Sequence, residues 1–157
     1  MLLQAPTKRA IAEAEYARAE DATAVIAGLK STDASLQRVA VRAAGRLERP
    51  SLAEAVVPLL KSPDRDVRRE AVAALAQMSA PFAFATLLSA EAEPAVRALI
   101  YEAIGRAKPP LDGAEGVLTS GLSEKDLRVR VGAARGLEAL IRGSTKKSFH
   151  NGARRSG

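Results

Sequence analysis

The segment Ser62–Met78 has the sequence SPDRDVRREAVAALAQM and indicates the fold of the chain. Its polar start includes Asp64, whose carboxylate can accept hydrogen bonds from the unpaired backbone N–H groups of a helix N-terminus. The apolar residues that follow recur on one face of a 3.6-residue helix. They are Val67, Ala71, Ala74, Leu75 and Met78. The segment therefore predicts an amphipathic helix that begins after Asp64.

The same pattern occurs four times. The copies start at Leu36, Val67, Val96 and Val129, so that successive copies are shifted by 31, 29 and 33 residues. The acidic residues at the cap position are Asp33, Asp64, Glu93 and Asp126. A period near 30 residues with one helix pattern in each copy predicts a solenoid of helical hairpins.

The segments between these helices predict the outer helix of each hairpin. We expect hairpins over about 20–48, 51–78, 81–107 and 112–142, an N-terminal capping helix over 1–19, and a disordered basic tail over 143–157. Thr7 is the expected cap of the first helix, Pro58 should kink the second outer helix, and Arg142-Gly143 should end the last inner helix. The predicted fold is all-α, a right-handed α-solenoid of about four antiparallel hairpins.

The composition limits the function classes. The chain has no cysteine, which excludes disulfides and thiolate chemistry. No apolar stretch approaches the roughly 18 residues that span a bilayer, and the first 15 residues lack the apolar core of a signal peptide. These features predict a soluble, cytoplasmic protein with no membrane partner.

The net charge of +6 is concentrated at the C-terminus. Residues 142–157 contain five basic residues and no acid, which leaves +1 for the rest of the chain. A basic tail can contact nucleic acid or an acidic partner, although a solvated terminus or a truncation remnant has the same composition. The charge of the chain is therefore weak evidence about its folded part.

The residues do not predict an enzyme. The only histidine, His150, lies in the predicted tail, so a His-based triad or a site with several histidines cannot form. No phosphate-binding glycine loop occurs, and the paired carboxylates, such as Asp64 and Asp66, lie at helix starts or on the surface. We expect no catalytic residue, no cofactor and no metal.

The repeated segments resemble the second helix of HEAT repeats, especially the short bacterial HEAT-like kind. The shared features are the cap acid, the Val-Arg start and the small-residue core. The Val-Arg pairs are Val67-Arg68, Val96-Arg97 and Val129-Arg130, and the first copy departs with Leu36-Gln37. The resemblance extends from about Glu20 to Ile141 and implies a hairpin solenoid.

The same family often has an acid six residues before the arginine, and these pairs stack into a ladder between repeats. Glu91 with Arg97 and Glu124 with Arg130 fit this spacing. Ser31 and Ser62 stand in place of the acid in the first two copies. The resemblance therefore implies a ladder only in the last two copies.

In HEAT-like arrays the second helices line the concave surface, which implies a concave, Arg-lined face for binding a partner. The candidate residues are Arg38, Arg42, Arg46, Arg69, Gln77, Glu102, Arg106 and Arg135. Glu102 is the single acid in the three rows of equivalent positions along this face, so we expect an acidic partner. Arginine side chains that only solvate a helix would give the same pattern.

Two classes of function fit these residues. The first is a non-catalytic scaffold that binds an acidic segment of another protein. The second is nucleic-acid binding, as in HEAT-like DNA glycosylases, although the chain has no tryptophan and the arginine rows contain no evident stacking residue. The start of the chain also resembles the HEAT region before a cyclophilin-type peptidyl-prolyl isomerase domain, and the repeats resemble those of bilin lyases.

Overall fold

The computed structural model describes residues 6–78 and 84–152, with the side chains of Ala85 and of residues 145–152 excepted. The regular structure of the described residues is helical throughout, without a strand, so the all-α prediction is confirmed. The chain divides into two compact units, Met1–Phe82 and Ala83–Gly157. Residues 79–83, which include the expected start of the third hairpin, lie outside the described part.

The first unit consists of short outer helices packed on longer inner ones. Its helices are α1 (Lys8–Tyr16), α2 (Thr23–Leu29), α3 (Ala34–Leu47), α4 (Ala53–Val56) and α5 (Arg65–Gln77). The inner helices α3 and α5 pack against each other, α2 packs on α3, and α1 covers α2 and α3. This is the hairpin stacking of an α-solenoid.

The second unit repeats this arrangement. Its helices are α6 (Phe84–Ala90), α7 (Pro94–Arg106), α8 (Ala114–Gly121) and α9 (Leu127–Gly152). The outer helices α6 and α8 pack on α7 and α9, and the two inner helices form the largest contact in the unit.

The inner helices carry the cores of both units. Each copy of the repeated pattern begins at a buried residue, namely Leu36, Val67, Val96 and Val129. The hydrophobic effect on this face stabilises the hairpins, because each short outer helix would be marginal by itself. In α1, Ile11 is fully buried, whereas Tyr16 at the end of the helix is exposed.

Thr7 and three of the four predicted acidic caps accept backbone hydrogen bonds with their side chains. The Asp64 carboxylate accepts from the N–H groups of Asp66 and Val67, at 2.8 and 3.0 Å. The hydrogen bond from Val67 lowers the pKa of Asp64 below its usual value. Glu93 occupies the cap position of α7, but its side chain makes no cap hydrogen bond. Glutamate is not a preferred N-cap residue because its carboxylate lies one methylene further from the backbone.

Replacing Asp64 with alanine should lower the urea midpoint of unfolding, because α5 loses both side-chain hydrogen bonds at its N-terminus. The matched control is Glu93→Ala, at the same position of the next repeat. Urea titrations followed by far-UV circular dichroism should show a clearly smaller shift for the control. Equal shifts would contradict this difference between the two caps.

Pro58 interrupts the second outer helix as the sequence predicts. The segment from Pro50 forms a 3₁₀ turn, then the four residues of α4, and then a second 3₁₀ stretch over Val57–Lys61. Proline lacks the N–H that an α-helix would need at this position, and its ring clashes with the preceding turn. The segment still buries Leu52, Val56, Leu59 and Leu60, and α4 and the second 3₁₀ stretch pack on α5.

The last helix continues past the expected end at Arg142-Gly143, so that prediction is wrong. The only positive-φ glycine among the described residues is Gly113, so Gly143 does not form a left-handed C-cap. Glycine within a helix costs about 1 kcal/mol, which does not stop the helix by itself. The first ten residues of the predicted tail are therefore helical, and residues 153–157 lie outside the described part.

Candidate functional site

At the start of three of the four inner helices, a side chain two residues before the cap accepts a hydrogen bond from the N–H of the cap residue. Ser31 Oγ and Ser62 Oγ accept from the N–H groups of Asp33 and Asp64, at 3.1 and 3.3 Å. In the third copy Glu91 Oε1 accepts from the N–H of Glu93 at 2.9 Å. Serine and glutamate therefore make the same turn contact, which explains why serine can replace the acid in the first two copies.

The arginine of each Val-Arg pair donates to backbone carbonyls of the same turn. Arg68, Arg97 and Arg130 each donate through Nη1 to the carbonyl oxygen six residues earlier, at 2.9 Å in all three repeats. This contact needs no acidic side chain at that position. Gln37 of the first copy makes a similar contact, from Nε2 to the carbonyl of Leu29 at 3.4 Å.

A partly buried polar cluster joins the two hairpins of the second unit. The carboxylate of Glu124 accepts hydrogen bonds from Arg97 Nη2 and, at 3.1 Å, from the hydroxyl of Tyr101. Burial, with a contribution from this hydrogen bond, raises the pKa of Tyr101. Glu124 therefore contacts the arginine of the preceding repeat, which the spacing within one repeat does not predict.

The candidate residues of the first unit lie on the polar side of α3 and α5. Arg38, Arg42 and Arg46 project from α3, while Arg69 and Gln77 project from α5. We call the surface formed by these five residues the α3–α5 face.

Most arginines of this face are paired with acids of the neighbouring helix. Arg38 Nη1 lies 3.2 Å from Asp66 Oδ2. Arg42 donates through Nε and Nη2 to Glu70 Oε1, at 2.9 and 2.7 Å, and this contact raises the pKa of Arg42. Arg46 Nη1 lies 2.5 Å from Glu15 Oε1 of α1.

These pairs correct the expectation that Glu102 is the single acid beside the arginine rows. The acids that sequence reasoning missed are Asp66, Glu70 and Glu15. Asp66 and Glu70 each lie 28 residues after their arginine, which is about one helical turn less than the repeat period. An acid at this spacing is the signal that would have identified them, since stacked inner helices bring such positions together.

A pocket of about 180 Å³ lies at the centre of the α3–α5 face. It is lined by Arg42, Arg46, Glu70, Ala73, Ala74 and Gln77. The structure thus brings together three of the predicted site residues, two from α3 and one from α5. Gly45 has no side chain, which allows Gln77 and Ala74 to approach α3 closely beside the pocket.

Among the arginines of this face, Arg46 has the most exposed side chain and Arg69 has the weakest pairing. The side chain of Arg46 is 63% exposed despite its pair with Glu15. Arg69 is 45% exposed, and its nitrogen lies 3.7 Å from Glu70, which is too far for a good hydrogen bond. With four arginines against Asp66, Glu70 and Glu15, the face has a surplus of one positive charge.

The other three candidate residues belong to the second unit. Glu102 of α7 accepts from Arg106 at 3.1 Å and from Arg135 of α9 at 3.2 Å. Its side chain is only 12% exposed, so it serves mainly to hold these two arginines. The expectation that all eight residues line one concave face stays a prediction.

Neither a metal site nor a membrane-spanning helix occurs in the described part of the chain. Within residues 6–78 and 84–144, His, Asp and Glu side chains do not form a group of three that could hold a metal ion. No helix in the described part of the chain is both long and apolar enough to cross a membrane.

Comparisons with known proteins identify the repeats. Residues 22–90 match the family model of HEAT repeats. No curated protein matches the chain. Among solved structures, the crystal structure of an engineered protein from the Northeast Structural Genomics Consortium has 24% sequence identity and a TM-score of 0.46, over 85% of this chain and 72% of that chain. The resemblance of the repeated helices to HEAT repeats is thus confirmed over residues 22–90.

Proposed function

We propose that the protein is a non-catalytic scaffold that binds another protein through the α3–α5 face. HEAT repeats form helical-repeat scaffolds whose extended surfaces commonly bind proteins. The observation that carries the proposal is the pocket between α3 and α5, because its polar side chains are held in place by ion pairs before a partner arrives. Such preorganisation lowers the entropic cost of binding.

The partner segment is acidic in this proposal. Arg46 has the most exposed side chain among the arginines of the face, and Arg69 has the weakest pairing. A carboxylate of the partner can bind Arg69 directly and can share Arg46 with Glu15. Guanidinium groups bind carboxylates with two parallel hydrogen bonds, which favours a defined position of the segment.

Nucleic-acid binding is less well supported by this face. Its affinity would depend on cations that neutralise phosphates, whereas Arg38 and Arg42 already have acidic partners. The residues that line the pocket include no aromatic side chain on which a base could stack.

A pull-down with and without nuclease tests the proposal. The immobilised full chain is incubated with a lysate of its source cells and compared with the Arg46→Glu/Arg69→Glu variant. These two replacements leave the pairs of Arg38 and Arg42 intact. The matched control is Lys61→Glu, which reverses the charge of an exposed lysine outside the pocket.

We expect a discrete protein to be retained by the wild type and by Lys61→Glu after nuclease treatment, and to be lost with the double variant. Retention of nucleic acid alone would contradict the proposal. Equal retention of the protein by all three variants would also contradict it, because the α3–α5 face would then not be the binding surface.

A further inference from the structure

The second unit contains a larger cavity that the proposed function does not use. Its volume is about 580 Å³, which lies within the range of roughly 300–1,000 Å³ typical of ligand pockets. It lies between the C-terminal end of α7, the loop that follows α7, and the middle of α9. Gly105 of α7 packs against the backbone of Gly136 on α9, and this close contact holds two walls of the cavity at a fixed separation.

The walls of this cavity are mainly apolar. The apolar lining comes from Ala107, Pro109, Pro110, Ala139 and Leu140. The charged residues among those that line it are Arg106, Lys108 and Arg142, and no acid is among them. An apolar cavity beside cations is suited to a ligand that combines an apolar group with a negative charge.

The cations at the cavity exceed the acids that pair with them. Arg106 shares Glu102 with Arg135, so these three residues carry one net positive charge. Arg142 pairs with Glu138. Lys108 is exposed and makes no hydrogen bond or ion pair within the described residues. The surroundings of the cavity thus have a surplus of about two positive charges.

We propose that this cavity binds a segment of a partner protein in which a large apolar side chain lies next to one or more carboxylates. The apolar side chain enters between the proline loop and α9, while the carboxylate binds Lys108 and the exposed edge of Arg106. A peptide fits better than a small anion because the walls offer more apolar contact than charge. The inference rests on the proposal that the chain binds proteins, but it concerns a surface separate from the α3–α5 face.

Selection from a phage-displayed library of random dodecapeptides tests the inference with the full chain as bait. We expect the enriched peptides to share an apolar residue flanked by Asp or Glu. Synthetic peptides of this pattern are then titrated with the protein by fluorescence anisotropy. Replacing the acids by their amides, or the apolar residue by alanine, should weaken binding by about tenfold or more.

Two variants locate the binding site. Ala139→Phe fills the cavity, and Lys108→Glu reverses the charge of an exposed loop residue that packs in no core. Each should weaken binding by about tenfold or more. The control Lys125→Glu reverses another exposed lysine of the same unit, away from the cavity, and should leave the affinity unchanged. Thermal unfolding of each variant shows whether it is folded. If Ala139→Phe does not fold, Lys108→Glu alone decides the test.

The Arg46→Glu/Arg69→Glu variant separates this inference from the proposed function. It should bind the selected peptides as the wild type does. If Lys108→Glu binds them normally while the double variant does not, the cavity inference is overturned and the α3–α5 face is supported. If no peptide is enriched, or the enriched peptides lack an apolar-acidic pattern, the cavity inference is overturned, whereas the proposed function is decided by the pull-down.

Discussion

Replacement of Gly105 by alanine should lower the free energy of unfolding by about 3 kcal/mol, at the upper end of the usual cost of overpacking. A Cβ at this position would lie 1.9 Å from the carbonyl oxygen of Gly136 on α9. The obstacle is backbone, so no flexible side chain can move aside. The added methyl group must therefore push α7 and α9 apart along the largest helix contact of the second unit.

Gly116→Ala provides the matched control. Gly116 also lies within a helix, α8, but a Cβ there would meet no atom within 4 Å. Alanine is favoured over glycine inside helices by up to about 1 kcal/mol, so this variant should be unchanged or slightly more stable. Urea unfolding followed by circular dichroism compares the two. An unchanged midpoint for Gly105→Ala would show that α7 and α9 do not pack this closely.

Replacing Arg97 with alanine should cost about 2–3 kcal/mol, because the arginine joins three parts of the second unit. Its side chain is 20% exposed, and it donates to the carbonyl oxygens of Leu88 and Glu91, at 2.6 and 2.9 Å. It also pairs with Glu124. Removing one partner of a partly buried charged network leaves the others without compensation.

Two further variants show which of these contacts matters. Arg97→Gln should be less destabilised, because Gln37 makes a comparable carbonyl contact in the first repeat. Arg128→Ala removes a 67% exposed arginine that pairs with Asp126 at the start of α9. This variant should barely shift the urea midpoint, because exposed ion pairs contribute little to stability. If Arg97→Ala were as stable as Arg128→Ala, the carbonyl contacts of the Val-Arg pair would not stabilise the fold.

The sequence predicts the hairpins well because one local pattern sets each inner helix. The apolar spacing from Val67 to Met78 determines which face is buried, and Asp64 determines where the helix starts. Both effects act within a few residues, so they can be recognised without the structure. Pro58 is predictable for the same reason, since its missing N–H interrupts any α-helix.

The end of the last helix was predicted wrongly, whereas the cap position of Glu93 was predicted correctly but lacks the expected kind of side-chain contact. The pair Arg142-Gly143 resembles a helix end, but glycine adopts a helical φ angle as readily as a positive one, and here α9 continues through it. At Glu93 the backbone adopts the cap conformation without help from the side chain. In both cases the residue type favours a local feature, a helix end at Gly143 and a side-chain cap at Glu93, that the structure does not form.

The candidate face was predicted only in part, since its charges depend on the register between repeats. The alignment of Arg38, Arg42 and Arg46 on one side of α3 follows from their spacing of four residues. Their pairing with Asp66, Glu70 and Glu15 requires knowledge of which residues of neighbouring helices lie side by side. The pairs change the interpretation of the face, because Arg38, Arg42 and Arg46 already have acidic partners.

The central claim is that another protein binds to the α3–α5 face, and photo-crosslinking tests it most directly. A benzophenone amino acid is placed at position 77, where the exposed Gln77 lines the pocket, and for comparison at position 61 outside it. After irradiation in the source cells, the account predicts a crosslinked protein from position 77 that is absent from position 61 and from the position-77 probe combined with Arg46→Glu/Arg69→Glu. A crosslink to nucleic acid, or equal protein crosslinks from both positions, would contradict it.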